Sequence, residues 1–288
     1  MSKRIIFILI LLCAVPVVGQ RKKSKPKNSH AKGSLDFYWG YNLSAYTKSD
    51  LRLIGDNYDF TLAKIAAEDR PEPFSSTYFN PTKITIPQFN IRLGYNFWNN
   101  YNLSIGYDHM KYIIKDNQQV AINGSISPGV DDLWSGNYSG QMVDINSNHF
   151  HYENSDGLNY IRMQLSRVDL WYRTKKNGWF GVSTVAGISA GMLLSYNDLY
   201  FGGNFTRRTI SASGYGVSGH LGLRLEFWKH VFIQTNLAGG FMHQVNVKTR
   251  PNGMDHAKQK FGYVASETVV GFLFYIRPTN DCNTCPKW

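Results

Sequence analysis

The chain has 288 residues, with 31 lysines and arginines against 20 acidic residues and a formal charge of +11. Apolar residues make up 43% of it and aromatic residues 15%, including 18 tyrosines and 7 tryptophans. No apolar run beyond the N-terminus approaches the length of a membrane-spanning helix, which excludes a helical membrane protein.

The N-terminus combines a basic start with a short apolar run. In MSKRIIFILILLCAVPVVGQ the run ends near Val18 and small residues precede Gln20, a pattern that indicates a secretory signal peptide over residues 1–20. Residues 21–33 are rich in Lys, Ser and Pro and predict a disordered basic tail. Because an exported protein does not meet nucleic acid, this charge does not indicate a nucleic-acid partner.

Segments in which apolar and polar residues alternate fill most of the remaining chain. Successive side chains of a strand point to opposite faces, so this period of two predicts β-strands, each long enough to cross a bilayer at a tilt. The eight predicted strands are Ser34–Lys48, Ile84–Trp98, Tyr101–Ile114, Leu158–Thr174, Trp179–Tyr196, Ser211–Trp228, Val231–Lys248 and Phe261–Arg277.

The links between these strands alternate strictly in length. The short links read NN, KKNG and KH, and the long ones cover Ser49–Lys83, Lys115–Gly157, Asn197–Ile210 and Thr249–Lys260. This asymmetry is typical of outer-membrane barrels, with tight periplasmic turns and long extracellular loops. The sequence therefore predicts an all-β fold: an eight-stranded antiparallel transmembrane β-barrel of up-and-down order over residues 34–277, with both termini periplasmic.

Two further segments lie outside the predicted strands. Residues 61–69, TLAKIAAED, predict a short helix in the first long loop, with Leu62 and Ile65 on one face. Residues 278–288 form a C-terminal periplasmic tail, in which Cys282 and Cys285 are expected to be a disulfide or free thiols.

The alternation also predicts charged side chains inside the barrel. An eight-stranded barrel is just wide enough for side chains to fill it, and buried charges of both signs have to pair. We therefore expect a salt-bridge network and no cofactor. The residues predicted to form the network are Asp36, Arg92, Asp108, Arg162, Arg167, Asp169, Arg224, Glu226 and Glu267.

Two patterns leave room for chemistry. Ser218 and His220 share one face of a predicted strand, which is the spacing of a hydroxyl and a general base. His149, His151 and Glu153 would share a face in an extended segment and could hold zinc or copper, although no fourth ligand is evident and such residues in a loop are more often simply solvated.

Several stretches carry a resemblance to a known group of proteins. DFYWGYNLSAYTKSD, GDNYDFTL and NPTKITIPQFNIRLGYNF resemble outer-membrane barrels of the Bacteroidota. The mature chain as a whole resembles the small eight-stranded outer-membrane proteins, which include the OmpA transmembrane domain, the OmpW type and the lipid-A-modifying barrels. The resemblance implies a location and an architecture but no activity. Where lipid-A deacylases have their serine, the nearest stretch, HYENSDG, has Glu153.

These observations together predict a non-enzymatic outer-membrane protein. We expect a structural or accessory subunit of the cell envelope that acts through its extracellular loops and contacts outer-membrane lipid, lipopolysaccharide and other envelope proteins. The alternative is a lipid-modifying barrel enzyme or a narrow conduit for small or apolar solutes.

Overall fold

The computed structural model of the protein describes residues 30–73, 75–79, 87–175, 177–251 and 254–276. The predicted signal peptide (1–20), residues 21–29 of the predicted basic tail and the C-terminal tail (278–288) lie outside the described residues. The strands are β1 (Ser34–Tyr46), β2 (Ser49–Gly55), β3 (Tyr58–Ile65), β4 (Ala67–Glu68), β5 (Phe89–Trp98), β6 (Tyr101–Ile114), β7 (Gln118–Ile126), β8 (Gly136–Ile145), β9 (His151–Arg173), β10 (Phe180–Phe201), β11 (Asn204–Phe227), β12 (Val231–Lys248) and β13 (His256–Tyr275), with a 3₁₀ turn at Ser76–Phe79.

Eight of these strands form a closed ring. Hydrogen bonding runs in the order β1-β5-β6-β9-β10-β11-β12-β13, and β1 pairs with β13 to close it, with Phe37 opposite Phe272. All of the pairings in the ring are antiparallel. The predicted eight-stranded antiparallel β-barrel is therefore confirmed. Closure removes the sheet edges that would otherwise expose unpaired backbone groups.

The ring has a short-turn end and a long-loop end. At the short-turn end, β11 and β12 are joined by a tight turn in which the His230 N–H donates to the Phe227 carbonyl at 3.1 Å. The predicted loop Asn197–Ile210 was wrong, because β10 and β11 continue through it to a two-residue turn at Gly202 and Gly203, with φ of 61° and 66°. Positive φ at both positions is the geometry of a type I′ hairpin, which glycine adopts without strain.

The two longest links fold into a structure of their own. Strands β2, β3, β7 and β8 extend the ladder outward from the start of β13, in the order β13-β2-β3-β7-β8. Their buried side chains and those of the connecting segments form an apolar core in which the Trp134 ring stacks on Phe150, with centroids 5.4 Å apart, and Phe60 (β3) and Phe201 (β10) pack beside them. We call residues 49–73 and 115–150, with the adjoining ends of β9, β10 and β11, the cap.

The predicted helix at residues 61–69 was also wrong. These residues belong to β3 and β4, and β3 pairs with both β2 and β7. The predicted helix began at Thr61, inside a longer segment in which the alternate residues Tyr58, Phe60 and Leu62 are all buried. Because this period of two begins before Thr61, it indicates a strand.

The outer face of the ring carries a belt of apolar side chains. Along β13, Val264, Val270, Phe272 and Phe274 are exposed, whereas the alternate residues between them are buried. From Val264 to Phe274 the strand rises about 33 Å, which at the usual barrel tilt of about 40° is about 25 Å of height. Among the described residues, no helix is long and apolar enough to span a membrane.

Candidate functional site

Two arginines and two carboxylates meet in the middle of the barrel. Arg92 (β5) approaches both oxygens of Asp108 (β6), at 2.6 and 2.8 Å. Arg162 (β9) lies 2.7 Å from Asp108 and 2.8 Å from Glu267 (β13). All four side chains are almost fully buried. Inward-facing positions on four different strands thus come together in one continuous ion-paired chain across the barrel.

Neutral side chains complete the hydrogen bonding of these four charged residues. Arg162 donates to the hydroxyls of Ser189 and Ser218 at 3.1 and 3.0 Å, and Asn236 donates to Glu267 at 3.1 Å. Glycine provides the room, since a Cβ at Gly106 would collide with the Arg92 side chain. The interior is therefore held by charge-assisted hydrogen bonds, which are stronger than neutral ones in a low-dielectric environment.

A second buried cluster lies at the short-turn end and is centred on Glu226. Its carboxylate lies 2.7 Å from His30, accepts a bond from Ser183 at 2.9 Å and pairs with Arg173 at 2.5 Å. Sequence reasoning missed both His30 and Arg173. His30 stands in the stretch predicted to be a disordered tail, yet only 1% of its surface is exposed, so that prediction was wrong for residues 30–33. Arg173 is the last residue of β9, and an irregularity of the strand between Leu170 and Tyr172 sets the direction in which it faces.

Arg224 belongs to this second cluster, and among the described residues it contacts an amide, an aromatic ring and an imidazole rather than the carboxylates expected of a salt-bridge network. Its Nε donates to Gln234 at 2.6 Å, and its guanidinium lies 3.9 Å from the centre of the Phe232 ring and within 3.5 Å of His30. Stacking on an aromatic face stabilises a guanidinium without a carboxylate. Asp36, also buried, accepts a bond from Asn102.

Two residues predicted to face inward lie on the outer surface instead. Arg167 and Asp169 form an ion pair at 2.8 Å, with 55% and 35% of their side chains exposed. The alternation of buried and exposed side chains along β9 continues through Ser166 and Val168, so Arg167 stays on the outer face. The irregularity falls between Leu170 and Tyr172, where the register with β10 shifts. A bulge places one extra residue there and reverses the facing only beyond that point.

The candidate metal ligands do not converge. His149 lies 3.3 Å from Asp131, and His151 lies 3.0 Å from Glu153 at the start of β9, within the cap. Among the described residues, no group of three or more His, Cys, Asp or Glu side chains is arranged to hold a metal ion. The predicted site at His149, His151 and Glu153 was therefore wrong: alternation placed two of them on one strand face, but His149 precedes the strand.

Ser218 and His220 also have separate partners. The Ser218 hydroxyl bonds to Ser189 at 2.6 Å and to Arg162, whereas His220 Nε2 lies 3.3 Å from the Ser166 hydroxyl. Two inward residues on one strand stand about 7 Å apart along its axis. Each side chain is used by its cross-strand neighbours.

The cap adds titratable groups outside the barrel wall. Both oxygens of Asp59 accept bonds from Arg52, at 2.7 and 2.6 Å, and these bonds lower the pKa of the Asp59 carboxyl. The Tyr58 hydroxyl donates to Asp255 at 3.0 Å. Burial raises the pKa of Tyr58 well above its ordinary value, and the nearby Asp255 charge adds to this effect. Tyr58 therefore stays a neutral donor that ties β3 to the start of β13.

Comparison with known proteins gives structural likenesses only. No protein-family model matches the chain, and no functionally curated protein matches its sequence. The structure is similar to the outer-membrane protein OprG from Pseudomonas aeruginosa (9% identity, 85% of this chain and 98% of that one, TM-score 0.36). It is also similar to Ail of Yersinia pestis (10%, 84% and 99%, TM-score 0.30) and to the outer-membrane protein AlkL (9%, 91% and 99%, TM-score 0.37).

Proposed function

We propose that the protein is a non-enzymatic outer-membrane barrel that acts as a structural or accessory subunit of the cell envelope through its cap. One observation carries the proposal: the barrel is obstructed at two levels and covered at a third. Arg92, Arg162 and Glu267 are tied together across its middle, the Glu226 cluster fills its short-turn end, and the apolar-cored cap covers the long-loop end.

The outer surface supports a position within a bilayer. The apolar belt along β13 has a height of about 25 Å, the height of the lipid-facing band of outer-membrane barrels. Tryptophans stand near the short turns, with Trp98, Trp171 and Trp228 all largely exposed. Aromatic side chains of this kind favour the membrane–water interface. The cap, with the long links, then lies outside the cell and both chain termini lie in the periplasm.

The cap has a surface suited to a partner. Strand β8 is the last strand of the ladder, and within the described part of the chain β7 is its one pairing partner. Most of its side chains are exposed, including Met142 at 60%. An edge strand of this kind presents backbone groups that a second chain can pair with. A link that only closed two barrel strands would need no folded sheet of its own.

The membrane position predicts a heat-modifiable protein. In an unboiled detergent sample the closed ring should stay folded and run at a different apparent mass from the boiled sample, and the protein should fractionate with outer membranes. Electrophoresis of both samples beside the fractions checks this. Co-migration of the two samples together with a purely periplasmic distribution would contradict the proposal.

The obstructed interior predicts a barrel without steady conductance. Purified protein in planar bilayers should give no stable single-channel current at moderate voltage, because the Arg162 side chain crosses the interior between Asp108 and Glu267. A stable current from the unmodified protein, blocked by an antibody against the cap, would favour a narrow conduit instead. The same preparation must show the heat-modifiable band, so that an empty bilayer is not mistaken for a closed barrel.

A further inference from the structure

Basic side chains gather on the outer face of the sheet where the apolar belt ends. On β13 the outward positions from Phe274 to Val264 are apolar except for Ser266 and Thr268, and the outward positions beyond Gly262 are basic. The register places a basic residue on a neighbouring strand opposite each of them. The six residues, which we call the basic band, are His243, Lys248, Arg52, His256, Lys258 and Lys260.

The members of the basic band form three cross-strand pairs. Lys260 lies opposite His243 and His256 opposite Lys248, both on β12. Lys258 lies opposite Arg52 on β2. Directly opposite residues have Cβ atoms about 5 Å apart. Because histidine is mostly neutral at pH 7 and Arg52 is paired with Asp59, the unbalanced positive charges of the basic band are Lys248, Lys258 and Lys260.

The nearby carboxylates do not neutralise the lysines. Asp59 accepts hydrogen bonds from two nitrogens of Arg52. Asp50 accepts a hydrogen bond from the backbone N–H of Lys64 at 2.8 Å. Among the described residues, no ion pair joins Lys248, Lys258 or Lys260 to a carboxylate. Lys258 and Lys260 are exposed. An anion from outside the chain is what this arrangement lacks.

The position of the basic band decides which anion would fit. Lys260 and Val264 are on the same face of one strand, about 13 Å apart along it. A ligand with its acyl chains against the apolar belt would thus present its headgroup to Lys258 and Lys260. On the proposed orientation this is the outer leaflet, where the lipid is a phosphorylated glycolipid. Several phosphates on one headgroup can engage several basic pairs at once, which raises affinity beyond that for a singly charged lipid.

We infer that the basic band is a binding site for the phosphate groups of lipopolysaccharide on the flank of β12, β13 and β2. The inference rests on the proposed membrane function and deepens it by naming a lipid and the residues that hold it. The site would anchor the cap to the leaflet beneath it, since β2 belongs to the cap and β13 to the barrel wall.

Lipid titration of the folded protein tests the site. Protein in zwitterionic detergent is titrated with bisphosphorylated lipid A, with the same lipid after removal of its phosphates, and with phosphatidylglycerol, and native mass spectrometry measures the bound fraction. Only the bisphosphorylated lipid A should bind well. The double variant Lys258→Gln/Lys260→Gln should bind it about 30-fold more weakly. Each basic residue at an anionic lipid surface contributes about 1 kcal/mol, and a loss of about 2 kcal/mol corresponds to this factor.

A matched variant and a folding test make the result decisive. Arg167→Gln removes an exposed positive charge from the outer face of β9 near the short-turn end, at the opposite end of the barrel from the basic band, and should leave lipid A binding unchanged. Equal binding of phosphatidylglycerol, or undiminished binding by the double variant, would overturn the lipopolysaccharide site while a heat-modifiable band shows that the barrel stands. If the unmodified protein gives no such band, the proposed membrane function fails as well.

Discussion

Replacing Arg162 by methionine should strongly destabilise the barrel. The substitution leaves Asp108 with Arg92 and the Asn90 amide, and leaves Glu267 with the neutral Asn236 amide as a donor. Removing one partner of a buried ion pair typically costs about 3–5 kcal/mol, because the remaining charge stays desolvated. Urea unfolding of the protein in detergent, followed by the gel shift of the folded band, measures the loss.

Two companion variants separate this effect from a general intolerance to substitution. Adding Glu267→Gln to Arg162→Met removes one stranded charge and should restore part of the stability, which a double-mutant cycle quantifies. Arg167→Met deletes an arginine of the same strand whose ion pair with Asp169 is on the exposed outer surface, and should change the midpoint little. Equal losses for Arg162→Met and Arg167→Met would refute the assignment of the interior network.

An arginine in the middle of the apolar belt should cost nearly as much. Leu221 is 69% exposed on the outer face of β11, between Val217 and Leu225. In a bilayer, Leu221→Arg should cost about 2–4 kcal/mol, the range for arginine at the midplane of a barrel exterior. The folding equilibrium in phospholipid vesicles, measured by the folded fraction on a gel, gives the value.

A second substitution on the same face of β11 isolates the effect of depth in the membrane. Tyr215 lies opposite His243, level with the end of the belt where Lys260 begins the basic band. Tyr215→Arg should cost only about 0–1 kcal/mol, since charged residues near the interface reach the headgroups. If both arginines were tolerated alike in vesicles, the outer face of β11 would be in contact with water and the proposed membrane position would be wrong.

The two experiments probe opposite faces of the same wall. Arg162 is on β9 and reports on the inside, whereas Leu221 is on β11 and reports on the outside. A soluble barrel would share the first result but not the second. An open channel would share the second but would tolerate loss of Arg162 better, because water would solvate the carboxylates that it leaves behind.

The ring and its two faces could be predicted from the sequence, because they depend on local order. Alternation of side chains is a property of a single strand, and links that alternate between short and long leave few ways to arrange eight strands. The facing of Arg92, Arg162 and Glu267 followed directly. The cap was harder to predict, since polar residues such as Asp59 and Thr61 alternate with buried ones in a segment too short to be told from a helix.

By itself the sequence determined an antiparallel eight-stranded barrel with an apolar outside and a charged inside. Only the tertiary structure decided which charges meet. Glu226 is bound by His30 and Arg173, which are distant along the chain and come together only when the ring closes at its short-turn end. The bulge beyond Leu170 then decides that Arg167 and Asp169 lie outside. Partners across a sheet depend on register, and one extra residue in one strand reverses the facing of everything after it.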